Sequence, residues 1–246
     1  MFIGHFAVGL AAKRFAPKTS LVPLMVAPLL LDLIWPLLLL AGVEHAGLVA
    51  APTPFLVLDL YDYPWSHSLV TALGWSLAFA LVWGLPTGDR RGAVVVGLGV
   101  FSHWVLDFVT HRPDMPLYPG DAGRVGLGLW YSVPGTVLVE GALFVAGVVL
   151  YLRTTRARGV LGHVALWSLI IFLTVGYTMS VLGPPPPSIE AVRWAGLFSW
   201  RWPGTASASA RSTRPRAPSA TRRALPSAPP RCWVAAAPRP TSCSRR

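Results

Sequence analysis

Five apolar runs, each near the length needed to cross a bilayer, dominate the chain: residues 21–43, 66–85, 92–109, 133–152 and 161–182. A helix needs about 20 such residues to span the hydrocarbon core. Within that core every backbone N–H and C=O must be bonded inside the segment, so runs of this kind fold as helices. Only 13% of the 246 residues are charged, against about 25% in a soluble domain. The expected fold class is therefore all-α: a polytopic helical membrane protein with five clear spans. A sixth run starts at residue 189 and breaks off near residue 202, so a sixth span looks truncated. Residues 1–12 are apolar but too short to cross, and read as an interfacial or re-entrant helix. Their basic residues follow rather than precede the apolar stretch, so no cleavable signal peptide is evident.

The formal charge of +11 is unevenly placed. Residues 1–200 hold all ten acidic residues and 11 of the 21 basic ones, leaving that part at +1. The basic signal belongs to residues 201–246, so no nucleic-acid partner is expected. That tail is rich in Arg, Pro, Ser and Ala and has no acidic residue or lysine. It lacks the apolar surface to form a core and reads as disordered. Out-of-frame GC-rich codons yield this composition, so a frameshift is one expectation and a natural basic tail the other. Two domains follow: a membrane-embedded helical domain over 1–200 and the tail over 201–246. Both cysteines, Cys232 and Cys243, lie in the tail, which excludes disulfides and thiolate metal sites from the membrane domain.

Basic residues mark alternate connections: Lys13, Arg14 and Lys18, then Arg90 and Arg91, then Arg153, Arg156 and Arg158. By the positive-inside bias these ends are cytoplasmic. The chain is expected in a cell (inner or plasma) membrane as a multi-pass protein with a cytoplasmic N-terminus, in contact with membrane lipids. The intervening segments, 44–65 and 111–132, then face outward. Segment 58–63 (LDLYDY) alternates and suits a short extended piece.

Against this apolar background the ionisable residues stand out. Residues 101–114 read FSHWVLDFVTHRPD. On a helix His103 and Asp107 lie one turn apart on one face, and Thr110 and His111 continue the stripe. Ionisable groups inside a membrane are costly and face a bundle interior or a watery cavity. Asp32 sits between Pro28 and Pro36. Pro36 cannot donate to the carbonyl of residue 32, so the helix is expected to open at Asp32. His67, in WSHS, is expected in the first turn of span two. Asp32, His67, His103, Asp107 and His111 fall on one side at similar depth. His5 joins them only if the first segment re-enters.

Imidazole nitrogens and carboxylate oxygens suit a divalent metal, zinc first and manganese or another next. The metal candidates are His67, His103, Asp107, Asp32 and His5, and the catalytic candidates Asp32 and His111. Bland readings stand beside these. The His103/Asp107 pair could hold helices together, His67 could cap its helix, and Asp32 could relay protons. His111 and Asp114 could be wet loop residues, Glu140 a helix-to-helix contact, and His45 and His163 interfacial groups. No nucleophile elbow, Walker motif or dinucleotide fingerprint is present.

The segments GHFAVG (His5), LLLDLIWP (Asp32), WSHS (His67) and SHWVLDFVTHRPD (His103, Asp107) resemble those of the YdjM-like family, which covers roughly residues 1–200. Its members are described as LexA-binding, inner-membrane-associated metal-dependent hydrolases. The family is distantly similar to zinc-dependent phospholipase C and related helical nucleases. The resemblance implies metal-assisted hydrolysis of a phosphoester or lipid-linked substrate. Family members often carry paired aspartates where this chain has Asp32 alone, so a second metal is not carried over, nor is the LexA association. The alternatives to a hydrolase are an ion- or proton-coupled transporter and a non-enzymatic membrane scaffold.

Overall fold

The computed structural model describes residues 1–120, 123–157, 159–198 and 213–215. Among them, five helical segments are long and apolar enough to cross a membrane: Leu21–Leu40, Leu69–Thr87, Arg90–Thr110, Val133–Thr154 and Val160–Leu182. The all-α, multi-span fold class is therefore observed. The expectation of a disordered, out-of-frame tail lies outside the described residues, apart from Thr213–Pro215. Those three residues form a strand antiparallel to Thr155–Ala157.

Helix α1 (Ile3–Phe15) is the element the bundle closes around. Thirteen residues span about 20 Å, short of the roughly 30 Å hydrocarbon core. It is not interfacial. It is buried on nearly every side, from Ile3 and His5 to Leu10 and Ala12, as expected of a helix apolar all round. Two glycines permit this. A Cβ on Gly147 would lie 2.6 Å from the Ala7 carbonyl oxygen, and one on Gly9 3.0 Å from that of Leu24. The first turn leaves backbone N–H groups without helical partners. Glu140 accepts two of them, from Phe2 at 2.9 Å and Gly4 at 3.3 Å.

The first span is made of α2 (Leu21–Val26), a 3-10 turn over Ala27–Leu29, and α3 (Leu30–Leu40). The expected opening at Asp32 is not where the helix breaks. Helix α3 continues through Pro36, and Asp32 occupies its first turn. The interruption lies in the 3-10 turn Ala27–Leu29, which contains Pro28, and the Pro28 carbonyl meets the His103 side chain.

The outward segments are more ordered than expected. Strands β1 (His45–Leu48) and β2 (Leu58–Asp62) pair antiparallel, with His45 opposite Asp62 and Leu48 opposite Leu58. A one-turn helix α4 (Pro64–His67) follows. His67 is therefore not in the first turn of span two. Ser68 is extended and accepts the Thr71 N–H, which ends α4 and caps α5 (Leu69–Thr87). Helix α6 (Arg90–Thr110) starts at Asp89, whose side chain accepts the Gly92 N–H. Strands β3 (Met115–Pro116) and β4 (Arg124–Val125) pair in the next connection. Then come α7 (Val133–Thr154), β5 (Thr155–Ala157), α8 (Val160–Leu182), α9 (Ile189–Phe198) and β6 (Thr213–Pro215).

Helix α1 packs mainly on α7, with α2 and α6 beside it; α5 packs on α6, and α9 on α3. At the basic end, Lys13 Nζ donates to the Thr19 carbonyl, and Thr19 Oγ1 donates to Asp89 Oδ2 at 2.6 Å. These bonds join the turn after α1 to the turn before α6. Helix α1 therefore leads from the opposite end of the bundle down to Lys13 and Arg14.

Candidate metal centre

One stripe of α6 supplies the framework. His103 and Asp107, one turn apart, bring Nε2 and Oδ2 to 3.0 Å. His111 follows the last helical residue, and its Nε2 lies 3.7 Å from the same Oδ2. Helix α4 delivers His67, whose Nε2 is 3.3 Å from that of His103. The first turn of α3 delivers Asp32. Its Oδ1 stands 3.5 Å from His67 Nε2 and 3.7 Å from His103 Nε2. Helix α1 delivers His5, whose ring stacks on His103 with centroids 3.9 Å apart and whose Nε2 meets Asp107 Oδ1 at 3.1 Å. The Met1 ammonium meets the same oxygen at 2.5 Å. All six residues singled out in the sequence thus converge, from four helices and the residue capping α6. Two overlapping groups, His5/His103/Asp107 and Asp32/His67/His103, have the spacing to hold a metal ion.

The surroundings fix which nitrogen of each ring carries the proton. His103 Nδ1 lies 2.8 Å from the Pro28 carbonyl oxygen, which can only accept. His67 Nδ1 lies 2.6 Å from Ser66 Oγ, and that hydroxyl donates to Glu44 Oε2 at 2.7 Å. The Ser66 oxygen is then left to accept from His67. Glu44 is buried and is itself fixed by the N–H groups of Trp65 and Ser66. His111 Nδ1 lies 3.1 Å from Asp114 Oδ1. All three rings thus carry hydrogen on Nδ1 and turn Nε2 inward, where it can take a metal ion or a proton. Metal-binding histidines show this arrangement, with the far nitrogen donating to a carboxylate or carbonyl.

His67 faces His103, and both His103 and His111 face Asp107 Oδ2, so a proton or a metal ion is needed to join them. Asp107 is 3% exposed; the Met1 ammonium and His5 meet its Oδ1, and its Oδ2, turned to His103 and His111, is the oxygen a further cation would share with the imidazoles. Two nitrogens each about 2.0–2.1 Å from a tetrahedral zinc stand about 3.3–3.4 Å apart, which matches the His67–His103 separation. The donor set fits a divalent cation.

Asp32 differs from the other members: its side chain is 48% exposed. It faces a cavity of about 250 Å³ that His67, Asp107 and His111 also line. Trp130 forms part of the wall and packs against His111 with centroids 4.3 Å apart. Tyr63 donates to Asp114 at 3.2 Å. Burial, and then the Asp114 charge, push its phenol well above the ordinary tyrosine range, so it stays a donor.

Some groups have other roles. Glu140 holds the start of α1. Thr110 donates to backbone carbonyls of α6. His45 pairs with Asp62 at the surface, and His163 bonds the Gly159 carbonyl. Asp114 is not a wet loop residue, since it bonds His111, Tyr63 and Arg112. Sequence reasoning missed Glu44, Ser66 and the Pro28 carbonyl. Ser66 is adjacent to His67 in WSHS, which is a usable signal. Nothing in the sequence separates Glu44 from the exposed acids of the same segment.

No family model, curated protein or solved structure matches this chain.

Proposed function

We propose that the protein is a membrane-bound, metal-dependent hydrolase of phosphoesters. The observation that carries this reading is the convergence of three imidazole Nε2 atoms on one another and on Asp107, beside a half-exposed carboxylate at a cavity. The YdjM-like resemblance points the same way. His67, His103 and Asp107 would hold the cation, with Asp32 beside it to orient water. His5 donates from Nε2 to Asp107 and fixes its orientation.

The chemistry a divalent cation would supply, if held there, is a water acidified toward neutral pH and charge to offset that on the ester oxygens. Asp32 takes the proton from the attacking water. His111, held through Nδ1 by Asp114, takes up a proton at Nε2 and delivers it to the leaving oxygen. The aromatic wall of Trp130, Tyr63 and Phe55 limits bulk water in the cavity.

The basic turns at Lys13, Arg14, Arg90 and Arg91 sit at the end of α6 remote from Asp107. With that end cytoplasmic, the site lies toward the outer leaflet of a cell membrane.

The test is turnover of bis(4-nitrophenyl) phosphate by detergent-purified protein loaded with zinc or manganese. Asp32→Asn is expected to lower kcat about 100-fold or more while metal is retained, in the range of general-base loss. No turnover of this or other phosphoesters by metal-loaded protein, with Asp32-dependent proton flux in liposomes, would replace the hydrolase by a transporter.

A further inference from the structure

A second cavity, of about 670 Å³, adjoins the first. Pro54, Leu58 and Ser180 line both, so the two share a wall. One wall of the second cavity comes from between residues 49 and 58, and the other from Ser180 and residues 183–186. No charged or titratable side chain is among the described residues lining it. Its hydroxyls are committed to the protein: Thr53 donates to the Trp130 carbonyl and Ser180 to that of Tyr177. Prolines at 52, 54 and 184–186 stiffen both walls. Part of its lining follows the end of α8 at Leu182.

A chamber carrying carboxylates and imidazoles beside a larger, stiff one whose lining side chains bear no charge suits a molecule with the same division. We infer that the substrate is an amphiphile drawn from the bilayer, its phosphoester head in the chamber of Asp32 and His111 and its hydrocarbon chain in the groove between residues 49–58 and 180–186. The head assignment rests on the hydrolase reading; the chain assignment rests on the groove alone. The larger cavity lies within the usual size range of ligand pockets, and the smaller suits a head group. A water-soluble phosphoester would leave the groove filled with water against apolar walls, which is unfavourable.

The probe is a hexadecyl methyl phosphodiester with a photoactivatable diazirine at the far end of the chain. It is added to metal-loaded protein in detergent, and labelled peptides are identified by mass spectrometry. Label is expected on segments 49–58 and 180–186. Ala51→Trp, which occludes the groove away from the metal ligands, is expected to cut it about tenfold, as loss of an apolar pocket does. Metal content of that variant reports that it is folded, and Val57→Phe serves if it is not. Label spread over the lipid-facing sides of α5 and α8, and unchanged by either variant, would overturn the inference. Groove labelling without hydrolysis of the probe would retain the groove and remove the hydrolase reading instead.

Discussion

Nε2 of His67 lies 3.3 Å from Nε2 of His103, and each ring has committed its other nitrogen to an oxygen outside the pair. A metal ion or a shared proton would join them, and outer partners of this kind are those that metal-binding histidines have. The two rings come from helices 36 positions apart in sequence, and their orientations are set by a carboxylate, a hydroxyl and a carbonyl rather than by each other.

The support behind His67 should be measurable as metal affinity. Ser66→Ala removes the acceptor of the His67 Nδ1 proton and leaves Glu44 without its hydroxyl donor. Chelator competition is expected to show metal affinity about 10–100-fold weaker. Unchanged affinity would mean that the relay from Glu44 does not act on the site.

Helix α1 should loosen when its anchor is removed. Glu140→Ala strands the N–H groups of Phe2 and Gly4, each buried donor costing about 1–3 kcal/mol. Amide exchange over Ile3–Leu10 is expected to accelerate, with α5 unaffected. Uniform acceleration across all helices would instead indicate a global loss of stability.

The close approach of α1 and α7 gives a prediction with an internal control. Gly147→Ala places a methyl group against the Ala7 backbone and is expected to destabilise by about 1–3 kcal/mol, as overpacking does. Gly141→Ala, on the same helix, meets nothing within 4 Å and is expected to be neutral or mildly stabilising. Thermal unfolding in detergent compares the two, and equal shifts would contradict the packing described.

A pH-dependent contribution sits at the basic end. The hydrogen bond from Thr19, then that from the Gly92 N–H, hold the Asp89 carboxyl below its ordinary pKa. Because folding lowers this pKa, the contribution is complete above the carboxyl's range in the unfolded chain. It is lost as pH falls through the folded value. Asp89→Ala is expected to cost about 1 kcal/mol at neutral pH, a typical cap loss. The difference from wild type should shrink in acid. A constant difference from neutral pH to below the ordinary carboxylate range would show that the charge plays no part.

The spans and the stripe of α6 were legible because ionisable residues in apolar helices are few and spaced by the helical repeat. His103, Asp107 and His111 needed only that repeat to be placed together. His5 was not legible to the same degree. Its position depends on α1 entering the bundle, which rests on Gly9 and Gly147 removing side chains at two contacts and on Glu140 meeting the first turn. None of these has a local signature. Pro28 and Pro36 look equivalent in sequence, yet the break falls at Pro28, where the His103 side chain takes the carbonyl. The paired strands at 45–48 and 58–62 were missed in part, because only 58–63 alternates. Glu44 reaches His67 through Ser66, a tertiary relation with no periodicity to betray it.

A divalent cation is expected to join His67, His103 and Asp107. Elemental analysis of monodisperse, detergent-purified protein checks this, with wild type beside His103→Ala/Asp107→Ala. About one equivalent of zinc or manganese in wild type, absent from the double variant, is the expected result. A well-folded wild type that takes up no metal even after reconstitution would contradict this expectation, and would mean that His67 and His103 share a proton instead.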